Sequence, residues 1–216
     1  MKATFTSKEG VSIVEKVILT IQENKQYLSD IDGLIGDGDH GVNMNKGFTM
    51  AGAELEKQVV EDVSKAFSIL YRTLLVKIGG SMGPLYGQLF KGVSEAFKEK
   101  ENLGAEDVKL ALANAVENIQ KISPAQVGDK TLLDTLVPAS NAYAESLAAD
   151  GDFAKALQAM QAAAKAGAES TKDMVAKLGR ASRLGERSRG VQDAGATSCY
   201  LILNAMGDSI LALINE

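Results

Sequence analysis

The sequence contains one cysteine, one histidine, three prolines and no tryptophan among its 216 residues. Because Cys199 is the only thiol, the chain can form neither an internal disulfide nor a thiolate zinc site, as is typical of a reducing compartment. Basic residues are fewer than acidic ones, 23 against 28, so a general affinity for nucleic acid or anionic membrane is not expected. These scarcities predict a cytoplasmic protein with no nucleic-acid partner.

Long hydrophobic runs are also missing. The N-terminal segment MKATFTSKEG has no apolar core of the kind a signal peptide needs, and the longest uncharged apolar stretch, Ala194 to Gly207, is shorter than a bilayer span. Neither export nor a membrane partner is predicted. Apolar residues nevertheless make up 45% of the chain and charged residues 24%, the balance of a globular protein. A single domain over residues 1–216 is the expected organisation.

The apolar residues that are present recur with the period of a helix. Val11, Val14, Ile18 and Ile21 predict an amphipathic helix from about Ser7 to Tyr27. A longer series from Phe153 to Leu178 alternates spacings of four and three, which favours antiparallel bundle packing. No alternating run framed by hairpin turns indicates a strand. With further helices near 41–58, 61–78, 83–99, 104–122, 130–148 and 195–214, the sequence predicts an all-α fold of eight helices.

The connections between these helices are of two kinds. Those after the second, fourth and sixth helices are short and ordinary. Those after the first, third, fifth and seventh are DIDGLIGDGDHG, GGSMG, SPAQVGDKT and GRASRLGERSRGVQDAG, rich in glycine and charged or hydroxyl residues. Because alternate connections of an up-and-down bundle emerge at the same end, we expect these four loops to converge on one rim.

The first of these loops crowds carboxylates. Asp30, Asp32, Asp37 and Asp39 fall within ten residues, and such crowding costs free energy unless a cation offsets the repulsion. Oxygen-only ligands suit Mg²⁺, which keeps its other positions for phosphates and water. The alternative is a solvated Asp-Gly turn with Asp39 as a helix cap. The loop is therefore a candidate magnesium site.

Better-known binding patterns do not fit this chain. The segment GDGDHG matches GxGxxG by letter, but its two aspartates would repel a bare pyrophosphate and no strand precedes it. A calcium loop starting at Asp37 would need a glutamate where Phe48 stands. No GxxxxGK[ST] sequence occurs. Any nucleotide must be held by another architecture.

Two other residue types near these loops could contact phosphate. His40, the only histidine, follows the acidic cluster, and ligand contact and a structural role are both open for it. The fourth loop carries four arginines, Arg180, Arg183, Arg187 and Arg189. Guanidinium groups bind phosphate in a bidentate way, although each arginine alone would equally suit a solvated basic loop. Carboxylates and arginines on one rim have the parts needed for phosphoryl transfer.

Four segments in this order resemble the nucleotide-binding L subunit, or L domain, of dihydroxyacetone kinases: DGLIGDGDHGVNMNKGF, GGSMGPLYG, GDKTLLDTLVPA and GRASRLGERSRGVQDAGATS. The resemblance implies an eight-helix antiparallel barrel with ADP or ATP bound across the loops at one end. It implies that Asp32, Asp37 and Asp39 hold two Mg²⁺ ions and that Arg180 is catalytic. The other nucleotide-site positions that it implies are His40, Gly41, Asn43, Ser81, Met82, Leu132, Asp193 and Gly195.

Four positions depart from the pattern of that family. Met82 stands where serine is usual, Ser123 where glycine is frequent, Val191 where histidine is common and Ala194 where proline is. A backbone amide at Met82 can still reach phosphate, and the acidic cluster is intact.

The family binds its hydroxyketone through a histidine of a separate K subunit or domain, so the resemblance implies a K partner. Stand-alone L subunits commonly work in a phosphoenolpyruvate-dependent system, in which an M subunit rephosphorylates bound ADP, and this is the leading interpretation. An ATP-consuming kinase subunit for dihydroxyacetone or a related hydroxyketone is the nearest alternative. A regulatory module that only senses nucleotide is the third. The oligomeric state is left open, with a homodimer among the options.

Overall fold

Helices dominate the computed structural model, which is described here for residues 2–215. This part of the chain holds nine α-helices, two short strands and two 3₁₀ segments, Thr171–Asp173 and Ala181–Ser188. The strands β1 (Thr4–Thr6) and β2 (Asn102–Gly104) pair antiparallel and are too short to give an alternation pattern. The helices are α1 (Val11–Glu23), α2 (Lys25–Ile35), α3 (His40–Glu56), α4 (Val63–Lys77), α5 (Met82–Phe97), α6 (Ala105–Ile122), α7 (Leu133–Asp150), α8 (Phe153–Ser170) and α9 (Ala194–Asn215). The prediction of an all-α fold is confirmed.

Eight of these helices form a closed ring. In the order α1, α3, α4, α5, α6, α7, α8, α9, each packs against the next, and α9 packs back against α1. Each contributes apolar side chains to one continuous core, in which Phe67 stacks on Phe90 with ring centroids 5.8 Å apart. The ring is the predicted eight-helix barrel. Each helix buries its apolar stripe because it packs against two neighbouring helices.

The ninth helix, α2, corrects the sequence prediction. The chain was expected to leave its first helix near Tyr27 and enter a loop, but α1 ends at Glu23 and α2 continues to Ile35. The side chain of Asn24 donates to the carbonyl of Thr20 at 2.8 Å and so ends α1. Leu28 and Ile35, seven residues apart on one face of α2, are buried. Half of the supposed acidic loop is therefore helical.

Gly41 explains how α2 lies so close to α3. A Cβ atom at this position would stand 2.7 Å from the backbone nitrogen of Ser29 and would also collide with the carbonyl of Lys25. Any side chain would push the two helices apart. The structure thus gives Gly41 a packing role and places it outside the lining of the cleft described below.

The other long helices end close to the predicted positions, except α8. Its seam from Phe153 to Gly167 is buried as predicted, but the helix ends at Ser170 and not near Leu178. The chain then turns through a 3₁₀ segment, and Thr171 donates its hydroxyl to the carbonyl of Ala168. This early end frees residues 174–193 to form a long loop over one rim of the ring.

The last helix, α9, is long and apolar enough to cross a bilayer by length and composition, with a mean hydropathy of 1.4 over its best window. The uncharged apolar stretch ends at Gly207, but the helix runs on through Asp208, as the predicted range 195–214 requires, and buries Ile210 and Ile214. Of that window, 56% is buried inside the fold. The helix packs against α1 and α8 and closes the ring, which accounts for its apolar character.

Candidate functional site

A cleft of about 440 Å³ opens at one rim of the ring. Four separate segments line it, and they are the four loops whose sequences stood out, so the predicted convergence of alternate connections is observed. Among the predicted site residues, those that line the cleft are Asp32, Asp37, Asp39, His40, Asn43, Ser81, Met82, Leu132, Arg180, Asp193 and Gly195. Gly41 alone of the predicted set does not.

The acidic cluster consists of three aspartates. Carboxylate oxygens of Asp32, Asp37 and Asp39 all lie within 4.8 Å of one another. Asp32 belongs to the last turn of α2, while the other two follow in a turn where Gly38 adopts a left-handed φ of 74°. The fourth candidate, Asp30, is exposed and accepts a hydrogen bond from the Gln26 amide at 2.7 Å. Asp30 therefore stands outside the cluster.

The cap of α3 bears directly on the alternative interpretation of this loop. Asp39 precedes α3, but its side chain makes no capping hydrogen bond. Instead, an oxygen of Asp32 accepts the backbone N–H of His40 at 3.2 Å. Asp39 therefore does not cap this helix, and the carboxylates of Asp37 and Asp39 lie together with that of Asp32 in the acidic cluster.

Arg180 is the arginine that reaches the acidic cluster. Its guanidinium contacts Asp37 and lies 3.9 Å from an oxygen of Asp39. Of the remaining arginines, Arg189 pairs with Glu186 and donates to the carbonyl of Asp173. Arg183 and Arg187 are exposed and do not line the cleft. Of the four arginines in this segment of the sequence, Arg180 is therefore the one that faces the cleft.

His40 lies at the wall of the cleft in a buried hydrogen-bond chain. Its Nε2 atom is 2.8 Å from the hydroxyl of Ser198, which is in turn 2.5 Å from the hydroxyl of Tyr86. Tyr86 also donates to the carbonyl of Gly195 at 2.9 Å. Burial lowers the pKa of His40 from 6.5 to about 4, against the opposing effect of Asp32. The imidazole is therefore uncharged at neutral pH.

Helix α5 presents its N-terminus to the cleft. Gly80, with a left-handed φ of 69°, turns the chain, and Ser81 stands at the cap position without making a side-chain capping bond. The first amides of the helix are consequently unpaired within it and available to an anion. Met82 contributes such an amide from its backbone while its side chain packs against the core.

An apolar wall stands on the other side, at the start of α7. Leu132 is 5% exposed and faces the cleft together with Ile119, Leu85 and Leu178. The preceding turn is held by Asp134, whose carboxylate accepts the amides of Gly128 at 2.5 Å and Thr131 at 2.7 Å. The cleft thus has a charged half and an apolar half.

Asp193 and Gly195 close the cleft at the start of α9. An oxygen of Asp193 accepts the amide of Ala196 at 2.7 Å and so caps the helix. Burial raises the pKa of Asp193 to about 6, and Lys130 partly counteracts that rise. A side chain at Gly195 would approach the same carboxylate to 3.0 Å, so glycine keeps this corner open.

Sequence reasoning missed three residues of the site. Tyr86, Ser198 and Lys130 lie in buried positions beside the cleft. The contacts that bring them to the cleft join residues more than 40 positions apart, so no local pattern pairs them. Of the positions that depart from the family pattern, Met82, Ser123 and Ala194 line the cleft, and Val191 does not.

The rim loops of this all-helical ring bring together carboxylates, an arginine and unpaired helix amides, which are the groups that phosphoryl transfer uses. The DAK2 domain matches residues 34–208 of the sequence. The chain belongs to the DAK2 family.

Two curated relatives agree in name and in length. The chain is 40% identical over 190 residues to the ADP-binding subunit DhaL of PEP-dependent dihydroxyacetone kinase 1 from Listeria innocua, covering 86% of this chain and 88% of the relative. It is also 40% identical over 182 residues to the ADP-binding subunit DhaL of PTS-dependent dihydroxyacetone kinase from Lactococcus lactis, covering 84% and 86%. The predicted resemblance to L subunits is confirmed.

A solved structure shows the same arrangement of helices. The dihydroxyacetone kinase from C. freundii, crystallised in complex with AMP-PNP and Mg²⁺, superimposes with a TM-score of 0.66 at 27% identity. The similarity covers 92% of this chain and 33% of that one. This chain therefore corresponds to one third of the larger enzyme.

Proposed function

We propose that this chain is the nucleotide-holding subunit of a dihydroxyacetone kinase. The terminal phosphoryl group of a magnesium-bound adenine nucleotide would pass from the cleft to dihydroxyacetone carried by a partner K subunit. The observation that carries the proposal is the meeting of three carboxylates, Arg180 and the N-terminus of α5 in one cleft. Metal-assisted phosphoryl transfer needs these parts, because its catalysis consists of positioning and charge stabilisation.

The acidic cluster fits magnesium by charge and by ligand type. Carboxylate groups whose oxygens all lie within 4.8 Å of one another repel each other. Arg180 already offsets part of this repulsion, and a divalent cation would offset more. The donors are all carboxylate oxygens, which Mg²⁺ prefers over nitrogen or sulfur. The ions, two by resemblance, would neutralise charge on the nucleotide phosphates and on the group in transfer.

The other residues of the cleft would bind the nucleotide or stabilise charge on the phosphoryl group in transfer. Backbone amides at Ser81 and Met82 would bind phosphate oxygens, and Leu132 would pack beside the adenine. Arg180 would donate to the transferring phosphoryl group as charge builds on its oxygens. The second group of nucleotide contacts in this proposal is His40, Asn43, Asp193 and Gly195.

His40 has a defined part in this scheme. Its buried Nε2 atom is hydrogen-bonded to Ser198, which holds the ring in place and occupies that nitrogen. We therefore propose that it contacts the nucleotide and is not a phosphoryl acceptor. Transfer then needs no covalent intermediate on this chain.

The partners follow from the relatives. We propose a K-type subunit as carrier of the hydroxyketone and an M subunit of the phosphotransferase system as the source of the phosphoryl group, since both DhaL relatives are named as PEP- or PTS-dependent. Bound ADP would then act as a cofactor that stays in the cleft. The structure with AMP-PNP favours a second candidate, an ATP-consuming subunit for dihydroxyacetone or another hydroxyketone.

One reconstitution separates these candidates. The purified chain is desalted, denatured and examined by mass spectrometry for retained ADP. It is then mixed with a K subunit and dihydroxyacetone, with either ATP or phosphoenolpyruvate and the phosphotransferase components as donor. Retained ADP and turnover only with phosphoenolpyruvate are expected. Turnover with ATP and K subunit alone would support the second candidate.

Two further outcomes bear on the whole proposal. Asp37→Ala is expected to abolish transfer almost completely with either donor, because the metal cluster loses a ligand. Full activity of that variant would support the regulatory module instead. A wild-type chain that neither retains nucleotide nor supports transfer from any donor would overturn the assignment as a kinase subunit.

We also propose that residues 1–216 act as one domain in the cytoplasm. Cys199 is buried and unpaired, and all nine described helices contribute to one hydrophobic core. A single calorimetric transition whose enthalpy equals the van't Hoff value would support one cooperative unit, whereas two separate transitions would contradict it.

A further inference from the structure

Lys130 is the lysine that lines the cleft, and its surroundings are unusual for a lysine. The residue is 2% exposed, and its backbone adopts a left-handed φ of 63°. A buried ammonium group and a non-glycine residue in this conformation each cost free energy. Such costs persist only where the surrounding structure fixes the residue in place.

Three backbone carbonyls surround the ammonium group. The Nζ atom donates to the carbonyl of Ser188 at 2.6 Å, of Val191 at 2.7 Å and of Met174 at 3.2 Å. An ammonium group has three N–H bonds, and all three are used. Lys130 therefore has no donor left for a phosphate, although it stands beside the proposed phosphate site.

The three carbonyls belong to the loop that carries Arg180, which we call the arginine loop (residues 174–191). The backbone N–H of Lys177 donates to the carbonyl of Asp129 at 3.2 Å, and that of Gly190 donates to the carbonyl of Lys172 at 2.7 Å. The hydroxyl of Ser188 joins its two ends by accepting the amide of Ala176 at 2.9 Å and donating to the carbonyl of Gly185. Outside, Lys177 pairs with Asp129 at 2.9 Å, with 63% of the Lys177 side chain exposed. Among the side chains of the described residues, the buried one that hydrogen-bonds this loop to the body of the protein is Lys130.

The turn at the other end of this tie is rigid. Asp134 fixes residues 128–131 through two backbone amides, and Leu132 follows directly. Lys130 thus connects a fixed part of the cleft with the segment from which Arg180 reaches Asp37. Asp193, two residues beyond the arginine loop, is close enough for the charge of Lys130 to act on its carboxylate.

We propose that Lys130 is a positioning residue, which ties the arginine loop to the α7 turn and so sets where Arg180 stands over the acidic cluster. The inference rests on the proposed phosphoryl transfer. Binding of the nucleotide depends mainly on other groups, namely the three aspartates, the α5 amides and Leu132. Loss of the tie should therefore reduce transfer much more than nucleotide affinity.

The test compares Lys130→Met with Lys177→Met. Both changes remove an ammonium group that links the arginine loop and the turn before α7. The ammonium group of Lys130 is buried, whereas that of Lys177 is exposed. In the reconstituted kinase, Lys130→Met is expected to lower kcat at least about tenfold, since an ångström of misplacement can cost about a hundredfold. The Kd for Mg·ADP should change less than about threefold. Lys177→Met should match wild type, and Lys130→Arg, which keeps a charged donor, should recover part of kcat.

Limited digestion with trypsin measures how accessible the arginine loop is, independently of kinase activity. Arg180, Arg183 and Arg187 are exposed cleavage sites on it, and they should be cut faster in Lys130→Met than in Lys177→Met. Should Lys130→Met fail to fold, Lys130→Gln, which keeps two amide donors, takes its place with the same expectations. Wild-type kcat in the folded variant would overturn the proposal, as would equal losses of kcat and affinity. A wild-type chain without transfer would instead reject the underlying kinase function.

Discussion

Replacing Asp37 with asparagine isolates the charge on which the proposed metal site depends. The side chain of Asp37 is 39% exposed and forms an ion pair with Arg180. Exposed ion pairs contribute about 0–1 kcal/mol, and repulsion from the other two aspartates is relieved at the same time. The free protein should therefore change its unfolding free energy by less than about 1 kcal/mol, or its Tm by less than about 4 °C.

The liganded protein should behave differently. With Mg·ADP at about 100 times its Kd, binding stabilises the wild-type chain by about 2.7 kcal/mol. For a chain of this length, that free energy raises Tm by about 5–11 °C. If the lost carboxylate weakens binding about a hundredfold, the gain falls to about 0.4 kcal/mol and the shift to about 1–2 °C.

The assay is thermal unfolding followed by circular dichroism, with and without MgCl₂ and ADP. Asp30→Asn is the matched control, since Asp30 lies seven positions earlier in the same acidic segment but is exposed and bonded to Gln26, outside the cluster. It should keep the full wild-type shift. A full shift in Asp37→Asn, or an equal loss in Asp30→Asn, would refute the assignment of the cluster as the metal site.

Three further predictions concern transfer, pH and packing. Arg180→Gln should lower kcat at least about a hundredfold while Arg183→Gln, on the same loop but away from the cleft, keeps it, as measured in the reconstituted kinase. The lowered pKa of His40, about 4, means that the unfolded chain binds a proton between pH 6.5 and 4 that the folded chain does not, so stability falls on acidification. Urea unfolding at pH 7 and 4.5 should show wild type losing about 2 kcal/mol more than His40→Gln, and equal losses would contradict this. Gly92→Ala places a Cβ 2.6 Å from the backbone nitrogen of Ala115 and should lower the unfolding free energy by about 1–3 kcal/mol. In the control Gly79→Ala, the added Cβ meets open space. Equal melting temperatures of the two variants would show that α5 and α6 are not so closely packed.

Much of the fold could be predicted because helical periodicity is a local property. The seam from Phe153 to Gly167 is buried where the pattern placed it. The alternation of plain and unusual connections also predicted which loops would share a rim, because that depends only on the order of elements in an up-and-down ring. The acidic cluster was visible for the same reason, since Asp32, Asp37 and Asp39 are within eight residues of each other.

Helix α2 shows where local reasoning failed. Its sequence KQYLSDIDGLI contains glycine and two aspartates, which by propensity favour a loop. It is helical because Leu28 and Ile35 find a buried surface on the ring and because Gly41 lets the two backbones approach. The helix in turn decides which aspartates meet, since it directs Asp30 away and Asp32 inward.

The sequence by itself determined the eight helices of the ring, the rim that carries the site and most of the residue types found there, because each follows from neighbours a few positions apart. Only the tertiary structure decided which side chains meet. Lys130 binds carbonyls 44 to 61 positions away, and His40 pairs with a hydroxyl 158 positions away. Such distances are set by the packing of whole helices, so no local pattern could have shown that a lysine beside the cleft holds a loop or that the histidine is kept neutral.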